Sequence, residues 1–358
     1  MYGAIALALI FLLGPRASTD VDVGENDLPA ISGLSLYLEK SELQFSQLIP
    51  ETRKRIAWAG DQNVVTPISF VYLHGFSDSN RVQGDSIDRI AAKFGANVFY
   101  TRYAGHGYED EADVEALGNA TLQQWADDTI EALRIGRLIG RKVVVIGFST
   151  GAPLGTWAAT QEEAPDALIM VSPNFGLKDW TSEFALGPWG KLIVRASVGE
   201  FNKYDPPGTV SKNHERYATS EYNSKAIVTM MSAVKLGRES DLSKITSPVL
   251  AVYSEEDKII ATPEFYKIMA KIGSSVSEKV AIRSSTGYPG KENHILMGLV
   301  ASNKEATQEA ETAIIDFVRK HVTGGASEKN AGNMKAGTGL SQETTRPALT
   351  DSNLPPIQ

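Results

Sequence analysis

The chain has 358 residues, 42% of them hydrophobic and 22% charged, which is enough to bury a core in one large α/β domain or two smaller ones. A formal net charge of -8, with no block of Lys and Arg, argues against a nucleic-acid surface. The absence of cysteine excludes disulfide frameworks, thiol nucleophiles and cysteine-ligated metal, so any covalent catalysis must use another nucleophile.

The chain opens on an apolar run, Tyr2 to Gly14, followed by Pro15, Arg16, Ala17 and Ser18. Its length suits the core of an export signal or a short anchor better than a membrane span, which needs about 20 apolar residues. No Lys or Arg precedes it. Residues 1–18 are therefore expected to export the protein or tether it to a membrane, with a cytoplasmic location left open. The folded body is expected over 25–322. The last stretch, 323–358, is poor in apolar residues and rich in Gly, Ser, Thr, Asn and Pro, the composition of a disordered tail.

Within the body, six short runs rich in β-branched and aromatic residues alternate with helix-like stretches: 68–75, 96–103, 142–149, 166–173, 248–257 and 278–285. Most are continuously apolar, the pattern of strands covered on both faces in a parallel sheet. Between the second and third runs, Leu122, Trp125, Ala126, Ile130, Leu133 and Leu138 recur at helical spacing, with Thr121 as N-cap and Gly140 as stop. Residues 88–94 and 304–322 supply further amphipathic helices. The fold class is α/β. From 174 to 244 the rhythm breaks into aromatic residues and one helical run, which reads either as a cap over a pocket or as a helical pair packed for stability.

One motif carries chemistry. "IGFSTG", residues 146–151, is a G-x-S-x-G stretch at a strand-to-helix junction, the context that gives this short pattern meaning. Gly147 and Gly151 fit because a sharp turn leaves no room for Cβ atoms beside the serine. Ser149 would then project above the carboxyl edge of the sheet. A serine hydroxyl is a poor nucleophile unless an imidazole takes its proton and an acid orients that imidazole. Of five histidines, His74 and His106 precede the serine, His214 lies in the cap region, and His321 ends the last helix. His294, after the last strand, fits the order serine, acid, histidine. For the acid, Glu255, Glu256 and Asp257 follow the penultimate strand; Asp257, nearest the point where the chain leaves the sheet, is preferred. The amides of Phe76, after His74-Gly75, and of Thr150 are the expected oxyanion donors. His74 itself reads as structural, its ring bonding the loop backbone.

With "YLHGF", "YAGHG", "IGFSTG", "SEED" and "ENH" in this order, residues 68–322 resemble the α/β-hydrolase superfamily, and within it the monoacylglycerol lipase and carboxylesterase-like group. Thr150 and Ala152 depart from that group, which often carries methionine after the nucleophile and a further glycine after the elbow. The resemblance implies an eight-stranded, mostly parallel sheet, a lid insertion at about 174–244, and an acyl-enzyme mechanism with no cofactor and no metal. The expected substrate is a small ester or lipid of short to medium acyl chain, held by Trp180, Phe184, Trp189, Met230 and Met231. An amidase or aminopeptidase on the same triad, or a lipid-binding protein that has lost the chemistry, are the alternatives; an acidic pair in the cap would serve a substrate amine, and Glu215 and Glu221 are the candidates, though they read as solvated surface. No nucleic-acid partner is expected, and the oligomeric state is left open.

Overall fold

The computed structural model describes residues 11–24, 27–203, 216–285, 293–298, 301 and 303–324. Each of the six apolar runs contains a strand: β2 (Ser69–Leu73), β3 (Asn97–Tyr100), β4 (Val143–Phe148), β5 (Ala167–Val171), β8 (Val249–Tyr253) and β9 (Ser277–Ala281). A short β1 (Arg55–Ala57) precedes them, and β6 (Phe201–Lys203) with β7 (Glu221–Asn223) makes a separate antiparallel hairpin. The main sheet is ordered β1-β3-β2-β4-β5-β8-β9. All neighbours are parallel except β1 against β3.

Why these runs are strands follows from where their side chains go. Val71, Leu73, Val143, Val145, Leu168 and Met170 point into one core. The residues between them, Phe70, Tyr72, Val144, Ile146, Ile169 and Val171, point into the other. A strand apolar at every position can satisfy both faces only if helices cover both, and each fully buried Val, Leu, Ile or Phe contributes about 1.5–3 kcal/mol. The covering helices are α1 (Leu34–Leu43), α2 (Gly84–Ala92), α3 (Asp110–Asn119), α4 (Leu122–Ile139), α5 (Gly151–Ala158), α6 (Gly190–Val198), α7 (Lys225–Glu239), α8 (Thr262–Met269) and α9 (Lys304–His321). The first core is closed by α1, α4, α5, α7 and α8, and the second by α2 and α9. Thr121 caps α4 as expected, in a reciprocal box: its Oγ1 accepts the Gln124 amide while Gln124 Oε1 accepts the Thr121 amide.

The sheet differs from the expected eight strands: seven are present among the described residues. The chain before β1 is helical. In α1, Leu34, Leu38 and Glu42 are buried, so this segment adds to the helical layer and leaves the three-residue β1 as the sheet edge. The cap region, 174–244, contains the 3-10 turns Trp180–Leu186, α6, the β6–β7 hairpin and α7. Outside the described residues lie 1–10 of the apolar start, His214 and Glu215 of the cap, and 325–358 of the tail.

A buried charge cluster joins the N-terminal layer to the loop after β3. Arg102 donates from Nε and Nη2 to the two carboxyl oxygens of Glu42, at 2.7 and 2.8 Å, with both side chains 3% exposed. Glu42 also accepts the Lys54 amide, and Lys54 Nζ donates to Asp128 and Glu131. Burial alone would push the Glu42 carboxyl up, but the Arg102 hydrogen bonds and charge hold it below its ordinary range. Asp128 in turn accepts the Ala104 amide, fixing the loop. Replacing Glu42 by Gln leaves a buried guanidinium without its counter-charge. Urea denaturation is expected to show a loss of about 3–5 kcal/mol for Glu42→Gln.

Candidate active site

The site begins with a backbone constraint at the end of β4. Ser149 has φ +49°, a left-handed conformation rare for a residue with a side chain. It is locked by its neighbours: its amide donates to Val171 O at 3.0 Å, and its carbonyl accepts the amides of Ala152 and Asn174. A Cβ on Gly147 would lie 2.5 Å from Gly151 O, and one on Gly151 would lie 2.2 Å from Leu73 O. Glycine at both positions is thus a packing requirement, as the sequence suggested.

Asp257 follows β8, in a turn closed by its own amide on Ser254 O. It is fully buried. Its Oδ1 accepts the amides of Ile259 and Ile260 at 2.8 and 3.0 Å, and its Oδ2 faces His294 Nδ1 at 2.8 Å. The competing acids are engaged elsewhere: Glu255 accepts the hydroxyls of Tyr253 and Tyr266, and Glu256 accepts from Asn293 Nδ2. His294 completes the line, its Nε2 lying 3.0 Å from Ser149 Oγ. The imidazole leans on the Phe148 ring, centroids 5.3 Å apart, and the His294 carbonyl accepts the Ser172 hydroxyl at 2.6 Å.

The turn after β2 brings up the remaining expected group. Gly75 lies directly against Ser149, so close that a Cβ on it would be 3.2 Å from Ser149 Cβ. Neither the Phe76 nor the Thr150 amide donates to an acceptor among the described residues. His74 is structural: its Nε2 accepts the Tyr103 amide at 3.0 Å, which leaves Nδ1 to donate to Gly75 O at 2.9 Å. Behind it, His106 Nδ1 bonds Ala104 O and its ring packs on His74 and Trp125. Of six positive-φ residues other than glycine among the described residues, four flank this site: Ser77, Ser149, Ser172 and Asn293. Backbone strain of about 1–3 kcal/mol each is concentrated where side chains must be aimed.

The hydroxyl opens into a cavity of about 480 Å³, within the range of small-molecule sites. Leu177, Phe184, Ile193, Val194, Ile227 and Met230 supply its apolar wall. Two of the five expected substrate-contacting residues, Phe184 and Met230, are in that wall. The other three are not. Met231 is fully buried in the core, because successive residues of α7 point about 100° apart and cannot share a face. Trp180 is 68% exposed and stacks edge-on against Phe184. The Trp189 indole is turned to the N-terminal segment and donates to Phe11 O. Glu221 sits exposed on β7, off the cavity wall, and His321 bonds Glu278 beside β9. Two polar residues went unnoticed in the sequence. Ser172 holds the His294 backbone; Asp78 lies in the cavity wall, 6% exposed, with one oxygen accepting the Ser79 amide. Burial raises the Asp78 carboxyl well above its usual range. Its position two residues past Phe76 was the only available signal.

A parallel sheet with a strained serine at the end of its central strand, backed by an imidazole and a buried acid, defines an α/β serine hydrolase. The chain belongs to the family described as serine aminopeptidase, S33, whose profile matches residues 68–284, more than half of the sequence. Solved structures with the same fold include one from work on LipS and LipT, two metagenome-derived lipolytic enzymes. It is 20% identical, has a TM-score of 0.57, and the match covers 77% of this chain and 100% of that one. A soluble variant of monoglyceride lipase from Saccharomyces cerevisiae is 14% identical, with a TM-score of 0.57 and coverage of 77% and 97%. The Paleococcus ferrophilus monoacylglycerol lipase is 14% identical, with a TM-score of 0.52 and coverage of 75% and 99%. At these identities the likeness is one of fold. No curated protein matches the sequence. Among the described residues, no helix is long and apolar enough to cross a membrane.

Burial sets a pH dependence of stability. His74 is pushed down to about 4 by desolvation, against about 6.5 for an exposed histidine. The unfolded chain therefore takes up this proton first, and stability present above pH 6.5 is lost as pH falls toward 4, on the order of 3 kcal/mol for this group. His106, lowered by burial, acts in the same direction, and Asp78, raised by burial, opposes. Urea midpoints between pH 7 and 5 are expected to fall less steeply for His74→Asn than for the wild type, which isolates the His74 contribution.

Proposed function

We propose that this serine hydrolase cleaves carboxylic esters through an acyl-enzyme on Ser149. The observation that carries this reading is the single imidazole, His294, bonded on one side to Ser149 Oγ and on the other to buried Asp257. Ser149 Oγ attacks the ester carbonyl and its proton passes to His294 Nε2. The tetrahedral oxyanion is held by the Phe76 and Thr150 amides, each donor being worth about 3–4 kcal/mol of barrier. The C–O bond to the alcohol then breaks as His294 returns the proton to the leaving oxygen. Water, deprotonated by the same imidazole, attacks the acyl-enzyme and releases the acid. Asp257 keeps Nδ1 protonated and aimed, and stabilises the imidazolium that forms in each half-reaction.

A short to medium acyl chain fits the apolar wall formed by Leu177, Phe184, Ile193, Val194, Ile227 and Met230. The same triad serves amides, and one observation bears on that second reading: the buried Asp78 carboxyl lines the cavity, where a substrate amine would have to offset the burial that disfavours its charge. Matched ester and anilide substrates of one acyl group decide between them.

Labelling with a fluorophosphonate is expected for the wild type and absent for Ser149→Ala; a native wild type that stays unlabelled would refute the proposal. Asp257→Asn is expected to keep the urea midpoint near that of the wild type while turnover drops by about 10⁴, the size of the analogous loss in a serine protease. Across aryl esters of increasing acyl length, kcat/KM is expected to peak in the short to medium range; a flat series would remove the assignment of the apolar wall to the acyl group.

A further inference from the structure

Thirteen large hydrophobic side chains are exposed among the described residues, and eight of them fall in two segments. Phe11, Leu12 and Leu13 are one group, with Leu13 82% exposed. Trp180, Phe184, Leu192, Val198 and Phe201 are the other, all from the cap, and Phe184 and Val198 also line the catalytic cavity. Scattered apolar residues on a surface need no explanation, but a cluster at the mouth of a site does.

The two groups are tied together at Trp189. Its amide donates to Pro15 O at 2.8 Å and its indole Nε1 donates to Phe11 O at 3.1 Å. Gly14 lies flat on the indole, where a Cβ would be 2.1 Å from Nε1. Trp189 itself holds φ +63° at the start of α6, a costly conformation for so bulky a residue, which these contacts help to fix. Upstream of Phe11, residues 2–10 contain no charged side chain. Residues 11–15 therefore lie against the cap at Trp189.

Charge around this face is arranged differently from the rest of the protein. Between 180 and 203 the chain carries Lys191, Arg195 and Lys203 against Glu183 and Glu200. Both acids are ion-paired, Glu183 with Arg238 and Glu200 with Arg195, whereas exposed Asp179 precedes this stretch and exposed Glu221 lies opposite Lys203 across the hairpin. Lys191, Lys203 and Arg16 of the N-terminal segment are exposed. A chain of net charge -8 thus presents cations beside its exposed apolar cluster.

We propose that the cap and the N-terminal segment form one lipid-docking face, which seats the mouth of the catalytic cavity on an anionic bilayer surface. The apolar side chains enter the headgroup boundary and the cations meet lipid phosphates. The occupant is a bilayer because the uncharged apolar sequence of residues 2–10 leads into this segment and the exposed cations beside the face, Arg16, Lys178, Lys191 and Lys203, outnumber its exposed acids without an ion pair among the described residues, Asp179 and Glu221. The inference concerns where the protein sits, and stands independently of the ester chemistry proposed above.

The test uses the full-length chain and sedimentation with vesicles of phosphatidylcholine and phosphatidylglycerol. Wild type is expected to bind, and the double variant Leu192→Glu/Phe201→Glu is expected to bind more weakly by about tenfold or more, from the loss of two large apolar contacts. Leu12→Glu/Leu13→Glu is expected to lose binding similarly. Urea midpoints and turnover of a soluble aryl acetate should stay at wild-type values in both variants, since none of these four residues lines the cavity. A wild type that does not sediment with vesicles, or binding that survives the cap variant unchanged, overturns the proposal. So does concentration-dependent self-association by light scattering without vesicles that the cap variant abolishes, because the face would then belong to a second copy. Absence of aryl acetate turnover in the wild type would count against the proposed chemistry alone.

Discussion

The closeness of three backbone segments around Ser149 is the constraint on which the site depends. Gly147 and Gly151 let the turn fold back on itself and on β2, and Gly75 brings the next loop against the serine. No side chain can be added at the first two without moving a strand or a helix. That compression holds Ser149 in a left-handed conformation with its hydroxyl toward the cavity and puts the Thr150 amide beside it. The strain is offset by the cores on both faces of the sheet, where β4 is buried along its whole length. Precision at the reacting atom is thus a property of the strand packing more than of the polar contacts at the site.

A second layer of support comes from charge. The Glu42–Arg102 pair and the Lys54–Asp128–Glu131 cluster hold the loop after β3, and this loop presents the Tyr103 amide to His74 Nε2. His74, oriented in this way, bonds Gly75 O and steadies the turn that carries the Phe76 amide. A helix near the N-terminus is therefore connected to the turn beside Ser149 through a chain of buried hydrogen bonds. Each link is expensive to leave half-made, because a polar group without its partner is far costlier inside than at the surface.

Much of this was legible in the sequence where a residue's job is dictated by its immediate neighbours. Five of the six runs became fully buried strands because continuous apolarity fits only a sheet covered on both sides; β9, with its charged residues, is the half-buried edge. Thr121 capped its helix because its partner Gln124 is three residues away. Ser149, Asp257 and His294 converge because the order of the elements along the chain fixes which strand ends lie side by side. What failed to appear depends on tertiary direction. Met230 and Met231 look alike as letters and both pack in the same core, yet their side chains point about 100° apart on α7, and only Met230 also borders the cavity. Trp180 and Trp189 were read as pocket residues from composition, but the fold turns one to solvent and the other to the N-terminal segment. The count of strands was missed because α1 occupies a helical layer its sequence does not announce. Asp78 and Ser172 had no motif to mark them; their importance comes from neighbours far away in the chain.

The three aligned side chains are not equally well anchored. Ser149 and Asp257 are each fixed by several main-chain bonds beside fully buried strands, whereas among the described residues the His294 carbonyl accepts the Ser172 hydroxyl and its ring rests on Phe148. Local opening begins where such ties are fewest. An imidazole on a loop can leave the serine by a local opening, while the strands that carry Ser149 and precede Asp257 stay packed.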